Sequence, residues 1–267
     1  MNILQAIILG IIQGITEWFP VSSSGHLVIA KYYLDLEPSL SFDVFVHFGS
    51  AAVVLLIFRK EVHAVITAFF AALKDLPTHG TSAMMNTPER RLAFLIIIAS
   101  IPTGIIGLTI SYFYEGILSE PRTVGMALLI TAVVLLSTRG KVENRGAKDM
   151  NMVDALLIGT MQGMAAVPGI SRSGFTISSG LLRGIDRRVA VRYSFLLFLP
   201  AILAAGLLQA RDITGDMDHI PIIVGVITAM IVGYITIIAL LKLIERGWFH
   251  YFAIYCVTVG TFLILTT

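Results

Sequence analysis

A short stretch near the start of the chain places polar and ionisable side chains between apolar residues. Gln13 and Glu17 are four positions apart and therefore share one face of a helix. An ionisable group inside an apolar segment is costly, so Glu17 is a candidate functional residue. Three serines and a histidine follow, as Ser22-Ser23-Ser24-Gly25-His26. Hydroxyls at this place can cap a returning helix or act as nucleophiles, and the imidazole can exchange a proton near neutral pH.

A second polar stretch supplies a permanent cation and several hydroxyls, in the order Pro168-Gly169-Ile170-Ser171-Arg172-Ser173-Gly174-Phe175-Thr176. The guanidinium fork of arginine suits phosphate, and the free N–H groups at a helix N-terminus complement an anion. No acid lies near Arg172 in the sequence, so its partner is either Glu17 or a bound anion. Two interpretations stay open: a structural ion pair between Arg172 and Glu17, and an anion site for which phosphate is the best candidate.

Composition places both motifs in a membrane protein. Of 267 residues, 56% are hydrophobic and 13% are charged, against about 25% charged in soluble domains, and the mean hydropathy is +0.86. These values exclude a disordered, fibrous or ordinary water-soluble protein. The net charge of +2 is spread over short loops and gives no nucleic-acid footprint. The single cysteine, Cys256, excludes intramolecular disulfides.

The apolar segments predict an all-α polytopic fold. A bilayer core of ~30 Å takes ~20 helical residues, and six runs are long enough or nearly so: Phe42 to Phe58, Leu92 to Phe113, Thr123 to Ser137, Val189 to Leu208, Ile220 to Leu243 and Trp248 to Thr266. Two further runs, Asn2 to Trp18 and Val153 to Val167, end in the polar stretches. After each polar stretch only about ten residues remain before a base, Lys31 or Arg183, and a helix of that length rises ~15 Å, half a bilayer. We therefore predict six transmembrane helices plus two re-entrant helix hairpins, whose breaks are buried or line water.

Loop charge predicts the orientation. Lys and Arg residues concentrate in four loops, 59–91, 138–152, 182–192 and 242–247, which the positive-inside rule makes cytoplasmic. The first hairpin then enters from outside and the second from inside. The opposite loops hold three bases, Lys31, Arg122 and Arg211, beside eight acids: Asp35, Glu37, Asp43, Glu115, Glu120, Asp212, Asp216 and Asp218.

The two hairpin regions resemble each other. A shift of 149 positions aligns glycines, glutamines and serines, as Gly10 with Gly159, Gln13 with Gln162, Gly14 with Gly163, Ser22 with Ser171, Ser24 with Ser173, and Gly25 with Gly174. Because the hairpins enter from opposite faces, we predict an inverted-topology repeat within one membrane domain, residues 1–267. Its halves are approximately 1–120 and 150–267, and such a fold brings broken helices together near the midplane.

Several other residues are interpreted as structural. Gly104, Gly107, Gly225 and Gly233 predict close helix packing. The histidines outside the first motif are assigned structural or solvated roles: His47, His63, His79, His219 and His250.

Together these segments resemble the undecaprenyl-pyrophosphate phosphatase family, the bacitracin-resistance proteins of the cell envelope. The resemblance covers essentially the whole chain and is carried by Gln13-Gly14-Ile15-Thr16-Glu17, by Pro20 to His26 and by Pro168 to Thr176. It implies a polytopic enzyme of the plasma (inner) membrane with inverted repeats and re-entrant loops. Such an enzyme removes the terminal phosphate of a C55 polyprenyl diphosphate at the outer face, recycles the lipid carrier of peptidoglycan synthesis, and depends on a divalent cation.

The resemblance also implies roles for individual residues. Glu17 matches an acid of the family's acidic motif, and Ser23 and His26 match the serine and histidine between which the nucleophile is sought. The phosphate-binding residues are expected to be Ser171, Arg172, Ser173 and Thr176, with Ser22 beside them. Gln13 departs from the family, whose members commonly carry Glu there. Glu17 and the amide oxygen of Gln13 are the expected ligands of Mg²⁺ or Ca²⁺.

Two chemical alternatives follow for the first motif: Ser23 attacks with His26 as its base, or His26 itself attacks. We favour Ser23. The expected partners are the polyprenyl diphosphate, membrane lipid and a second copy of the chain in a homodimer, with no nucleic acid.

The alternative function is a transporter or flippase for a polyprenyl phosphate or another anion, because inverted repeats with broken helices are typical of transporters. Arg172 would then bind the carried anion and Glu17 a coupling ion. The acid-phosphatase superfamily is excluded, since it needs a His and an Asp soon after the Ser-Arg pair, and neither stands between Gly174 and Ile185.

Overall fold

The computed structural model of the chain describes residues 1–36, 40–118, 120–209 and 219–267, without the side chains of 40, 81–82 and 114–118. Several charges predicted for the outer loops lie outside the described residues: Glu37, Arg211, Asp212, Asp216, Asp218 and the side chain of Glu115. The described part is all-helical, with eleven α-helices: α1 (Ile3–Thr16), α2 (Ser23–Leu34), α3 (Leu40–Ile57), α4 (Arg59–His79), α5 (Pro88–Leu118), α6 (Pro121–Leu136), α7 (Met152–Met164), α8 (Arg172–Leu182), α9 (Arg187–Gln209), α10 (His219–Glu245) and α11 (Phe252–Thr266).

Four helices are long and apolar enough to cross a membrane, namely α5, α9, α10, and α11 with the turn before it. They correspond to four of the six predicted spans and establish a multi-pass helical membrane protein. The other two predicted spans are α3, which has 18 residues and is bent by 88° from α4, and α6, which has 16. The prediction of a loop over 59–91 is wrong for its first two thirds, which are helical. Apolar residues recur there at helical spacing, and they form the 21 residues of α4.

The two hairpin regions consist of helices shorter than a span. Helices α1 and α2 have 14 and 12 residues, and α7 and α8 have 13 and 11. Both pairs begin in the same way, because Asn2 and Asn151 cap them and close capping boxes with Gln5 and Asp154 three residues later. The polar breaks predicted from sequence lie between the helices of each pair.

The aligned residues of the two regions make equivalent contacts. Helix α1 packs mainly along α10, and its counterpart α7 packs along α5. A Cβ atom on Gly10 would lie 2.7 Å from the carbonyl oxygen of Gly225, and one on Gly159 would lie 2.1 Å from that of Ala99. The aligned glycines therefore allow the same close approach of backbones in both halves.

The predicted packing role of the other glycines is confirmed for one pair and wrong for the other. Gly225 faces the Phe42 ring and Gly233 the Trp18 ring, so both are close contacts. A Cβ atom on Gly104 or Gly107 would meet nothing within 4 Å. These two glycines of α5 face away from the other described helices, because α7 packs on a different side of α5.

A buried carboxylate ties the base of the second hairpin together. Asp154, at the start of α7, is fully buried and accepts two hydrogen bonds from Arg145, at 3.0 and 2.6 Å, and one from Arg183 at 2.8 Å. Burial alone would raise the pKa of Asp154, but the hydrogen bonds from the two arginines outweigh it and hold the pKa below its ordinary value. The loop before α7 and the end of α8 are therefore held at one point.

Candidate active site

The two polar breaks meet, as the sequence predicts, through one ion pair. Glu17 caps the C-terminus of α1, and Arg172 is the first residue of α8. A guanidinium nitrogen of Arg172 lies 2.8 Å from Glu17 Oε1, and both side chains are largely buried. A charged hydrogen bond at this depth ties hairpin to hairpin across 155 positions of sequence.

The second oxygen of Glu17 receives two more donors. The Ser23 hydroxyl donates to Oε2 at 2.5 Å, and the Gln13 amide donates to the same atom at 3.0 Å. Ser23, in the first turn of α2, is half-buried and so remains open on one side. The predicted pairing of Ser23 with His26 as its base is not what the structure has, because the proton acceptor at the Ser23 hydroxyl is Glu17.

His26 lies on the same helix but its ring is bound elsewhere. Nδ1 lies 2.7 Å from the Ser22 carbonyl oxygen, and since a carbonyl only accepts, Nδ1 carries the proton. Nε2 lies 2.7 Å from the Tyr255 hydroxyl of α11, and the two rings stack with centroids 5.6 Å apart. When the imidazole is neutral, its lone pair is therefore on Nε2, where Tyr255 donates.

Arg172 has donors to spare. Its guanidinium carbon lies 4.1 Å from the centre of the Phe198 ring and 5.7 Å from that of Trp18. One terminal nitrogen, NH1, is buried with no hydrogen-bond partner among the described residues. A buried guanidinium nitrogen without a partner is costly, so the site is suited to an anion that would accept from it.

Ser22 holds the two breaks in register. Its hydroxyl accepts from the Gly25 amide at 3.3 Å and from the Gly169 amide of the other break at 3.0 Å. Its backbone has φ 70°, a strained conformation for a residue with a side chain. Gly169 itself has φ 96° and lies against the backbone of Val124, where a Cβ atom would not fit. The Ser22 hydroxyl is thus occupied by backbone donors.

The remaining predicted phosphate residues are buried in internal hydrogen bonds. The Ser171 hydroxyl caps α8 by accepting from the Gly174 amide at 3.0 Å and lies 3.3 Å from the Ser173 hydroxyl. Thr176, one turn into α8, donates to the Arg172 carbonyl at 2.8 Å and pairs with Ser194 at 2.6 Å. The structure brings Ser171 and Ser173 next to Arg172 at the helix end and directs the Thr176 hydroxyl toward α9.

Three residues of this site were missed by sequence reasoning. His47 Nε2 of α3 lies 3.8 Å from Glu17 Oε2, and the Ser50 hydroxyl lies 3.4 Å from the Gln13 amide nitrogen. The third is Tyr255. A signal for His47 existed, since it is an ionisable residue within a predicted span, and that pattern marks functional positions. Tyr255 carried no such signal, because tyrosine is common in membrane helices.

The oxygen atoms near Glu17 are of the kind that a hard cation binds. Gln13 Oε1 is buried and has no hydrogen-bond partner among the residues the structure describes, and the neighbouring groups offer oxygen atoms. No group of three His, Cys, Asp or Glu side chains that could hold a metal occurs in the described ranges. Glu17 and Gln13 alone are thus an incomplete shell, of the kind that Mg²⁺ completes with water and phosphate oxygens.

The arrangement combines an accessible hydroxyl, its proton acceptor and a cation with free donors. Ser23 and His26 are the partly exposed members, whereas Glu17, Ser171 and Ser173 lie below them. Such a site can bind an anion, deprotonate a serine and transfer a group to it.

Comparisons with known proteins agree over nearly the whole length. Residues 6–262 match the family described as bacitracin resistance protein BacA. The undecaprenyl-diphosphatase of Methanosphaera stadtmanae is 43% identical over 272 residues, covering 99% of this chain and 98% of the relative. The undecaprenyl-diphosphatases of Korarchaeum cryptofilum and Desulforapulum autotrophicum are each 40% identical, covering 97% of this chain and 97% and 96% of their own lengths.

Proposed function

The chain belongs to the BacA family of bacitracin resistance proteins, and on that premise we propose that it is a membrane undecaprenyl-diphosphatase. The reaction hydrolyses the phosphoanhydride of undecaprenyl diphosphate to undecaprenyl phosphate and inorganic phosphate. The observation that carries the proposal is the meeting of Arg172, Glu17 and Ser23 in one hydrogen-bonded group. A cation, a base and a hydroxyl are the parts that phosphoryl transfer needs.

Arg172 binds the terminal phosphate of the substrate. Its partnerless NH1 donates to a phosphate oxygen, while NH2 stays on Glu17 and keeps the fork oriented. The aromatic rings of Phe198 and Trp18 confine the guanidinium, so little freedom is lost when phosphate binds. The N-terminus of α8, where Ser171 and Ser173 lie, adds a favourable electrostatic field through its backbone N–H groups.

Ser23 is the nucleophile in this proposal. Its oxygen forms a bond to the terminal phosphorus, the bond from that phosphorus to the bridging oxygen breaks, and undecaprenyl phosphate leaves. The Ser23 proton passes to Glu17 Oε2, the atom it already contacts at 2.5 Å. The occupied Nε2 of His26 makes the imidazole a weaker candidate for the attack.

Water completes the cycle. A water molecule attacks the phosphoserine and gives its proton to His26 Nε2, from which the Tyr255 hydroxyl turns away in this step. The bond from phosphorus to the Ser23 oxygen breaks, and that oxygen regains its proton from Glu17. Inorganic phosphate leaves and takes the proton from His26, so the protein returns to its starting state.

A divalent cation, Mg²⁺ or Ca²⁺, fits this proposal. Glu17 and the free oxygen of Gln13 would hold it, and its charge would offset the negative charge of the diphosphate. Because Gln13 is neutral, the protein would provide one carboxylate here, and the substrate would contribute further oxygen ligands.

The proposal includes an arrangement in the plasma membrane. Helices α3, α5, α6, α9, α10 and α11 cross the bilayer, and the pairs α1–α2 and α7–α8 are re-entrant hairpins of an inverted repeat. The exchanged packing of α1 on α10 and α7 on α5 supports it, since a twofold pseudo-axis converts one contact into the other. The site opens to the outer face, and the polyprenyl tail lies in lipid along the bundle.

The test measures phosphate release from undecaprenyl diphosphate by the purified protein in detergent. Arg172→Ala, Glu17→Ala and Ser23→Ala are each expected to lose at least about 10²-fold in kcat/KM, the usual effect of removing a preorganised charge or nucleophile. Ser24→Ala is the matched control, because it removes the neighbouring hydroxyl and should keep near wild-type activity.

Mass spectrometry of wild-type protein quenched during turnover is expected to find phosphate on Ser23. Phosphate on His26 would transfer the nucleophile's role to the imidazole. A wild-type protein that moves the lipid between leaflets but releases no phosphate would replace the enzyme by the transporter alternative.

A further inference from the structure

Helix α4 changes direction sharply where the preceding helix ends. It is bent by 88° from α3 at Phe58, and it is 21 residues long, or ~30 Å. Since α3 has the apolar composition of a membrane helix and ends at the basic pair Arg59 and Lys60, its end lies at a membrane surface. A helix nearly perpendicular to α3 at that point runs along this surface.

One side of α4 packs on the protein. Val62 and Ala72 are buried, and between them Val65 and Phe69 are half-buried. At 100° per residue these positions form one face of the helix. This face accounts for the contacts of α4 with α5, and a further part of the circumference is exposed among the described residues.

A second side is apolar and exposed. Ile66, Phe70 and Leu73 follow at spacings of four and three residues and are 50%, 63% and 41% exposed. We refer to these three residues as the apolar stripe. On α3, Leu55 and Leu56 precede the bend and are 46% and 55% exposed. Exposed apolar residues therefore occur on both sides of the bend, with an exposed basic pair between them.

A third side is polar and basic. Lys60, Thr67 and Lys74 are exposed and lie next to the apolar stripe, on its side away from the protein. The acid nearest this side, Asp75, is bound by Arg90 at 2.7 Å. Its charge is therefore matched within the protein, which leaves the two lysines as the cationic border of the stripe.

We infer that α4 is an interfacial helix, whose apolar stripe enters the headgroup–acyl boundary of the cytoplasmic leaflet while Lys60 and Lys74 contact anionic lipid headgroups. The order of the three sides, protein, apolar stripe and basic border, is that of a helix lying in a bilayer surface. Two features favour lipid over a protein partner: the exposed apolar residues at the end of α3, and lysines at the stripe's border that match an anionic leaflet.

The test measures depth with nitroxide labels on the full chain in nanodiscs. Phe70→Cys reports the apolar stripe, and Thr67→Cys is the matched control on the basic side of the same helix, both in a Cys256→Ala background. Collision with oxygen, relative to collision with a water-soluble nickel chelate, is expected to be roughly tenfold higher at 70 than at 67, as for a helix face buried in the interface. Equal ratios at both positions would overturn the inference.

Lipid charge provides the second readout. The label at 70 should lie deeper in nanodiscs of phosphatidylglycerol than in those of phosphatidylcholine, and Lys60→Gln with Lys74→Gln should abolish the difference. No response of the wild-type lysines to lipid charge would contradict the anionic contact. Strong dipolar broadening between labels at 70 would show a second copy covering the stripe, and would overturn the inference in favour of a dimer interface.

Discussion

The state of His26 is set by two hydrogen bonds of opposite kind. The Ser22 carbonyl accepts a hydrogen bond from Nδ1–H, and the Tyr255 hydroxyl donates one to Nε2, each at 2.7 Å. A histidine held at both nitrogens has one tautomer and one ring orientation. Tyr255 is therefore a positioning residue, and it connects the site to α11, which lies far away in the sequence.

Tyr255→Phe removes the hydrogen bond and keeps the ring. We expect kcat to fall about 5- to 10-fold with little change in KM, because a freed imidazole spends less time in the productive orientation. The measurement is the phosphate-release assay on Tyr255→Phe, His26→Ala and the double variant. If Tyr255 acts through His26, the double variant should be no slower than His26→Ala alone. Additive losses, or a lowered melting temperature for Tyr255→Phe, would assign Tyr255 a structural role.

At the level of residues, the sequence predicts that a buried charge has a partner. A buried arginine needs an anion, and of the two partners that the sequence leaves open, Glu17 and a bound anion, the structure has Glu17. The choice of Glu17 as the acceptor for Ser23 was not predictable in this way. It depends on the turn between α1 and α2, where Ser22 takes a positive φ, and single-residue conformations of this kind carry no periodic signal.

At the scale of elements, the second hairpin depends on the carboxylate at its base. The Asp154 carboxylate forms ion pairs with Arg145 and Arg183. It also accepts a hydrogen bond from the backbone N–H of Asn151 at 2.9 Å. These bonds hold the start of α7 against the end of α8, and α8 carries Arg172 at its other end. Loss of these ion pairs would weaken the contact between the start of α7 and the end of α8.

Asp154→Asn is expected to destabilise the protein by about 3 kcal/mol, because it leaves the arginines without their counter-charge. The wild type should show a matching pH dependence. Since the folded-state pKa of Asp154 lies below its ordinary value of 3.8, the stabilisation is complete above that pH and is lost as the pH falls through the folded-state pKa.

Thermal unfolding in detergent between pH 7 and about pH 3 measures both effects. Asp154→Asn should be less stable than the wild type at pH 7 and should lose less stability on acidification. Parallel curves for the two proteins would contradict this role of Asp154.

Helix contact through glycine provides a second test at this scale. A Cβ atom on Gly159 would lie 2.1 Å from the Ala99 carbonyl oxygen, so Gly159→Ala should force α7 away from α5 and cost about 1–3 kcal/mol. Gly104→Ala on α5 is the matched control, because its Cβ would meet nothing within 4 Å. This control should be neutral or up to about 1 kcal/mol more stable, since alanine is the better helix former. Melting temperatures of the two variants check the difference; equal losses would refute it.

Element boundaries were predictable to within a few residues where caps and breaks mark them. The runs predicted to begin at Asn2 and Val153 start within one residue of α1 and α7, which Asn2 and Asn151 cap. Helix α4 was missed because its charged ends and narrow apolar stripe fall short of a membrane span. A search for helical spacing, rather than for apolar length, would have found it. The uneven packing of glycines on α5 depends on which side α7 takes, and the sequence of α5 does not contain that information.

On the scale of the whole molecule, the site consists of two unlike parts, one from each polar break. The aligned hydroxyls Ser22 and Ser171 cap α2 and α8 in the same way, by accepting from Gly25 and Gly174. Equivalent backbones then carry different side chains, with the acid on one break and Arg172 on the other. One site thus takes its acid from the first break and its cation from the second, at positions that the 149-residue shift does not align.

The proposed membrane orientation can be tested from outside the cell. In a Cys256→Ala background, Glu120→Cys reports the short connection between α5 and α6, and Val142→Cys reports the exposed loop between α6 and α7. The positive-inside rule places the second loop in the cytoplasm. A membrane-impermeant maleimide should therefore label intact cells at position 120 alone, and should reach 142 after the membrane is permeabilised. The reverse pattern would show the opposite membrane orientation. The first hairpin, with Ser23 and His26, would then enter from the cytoplasmic face.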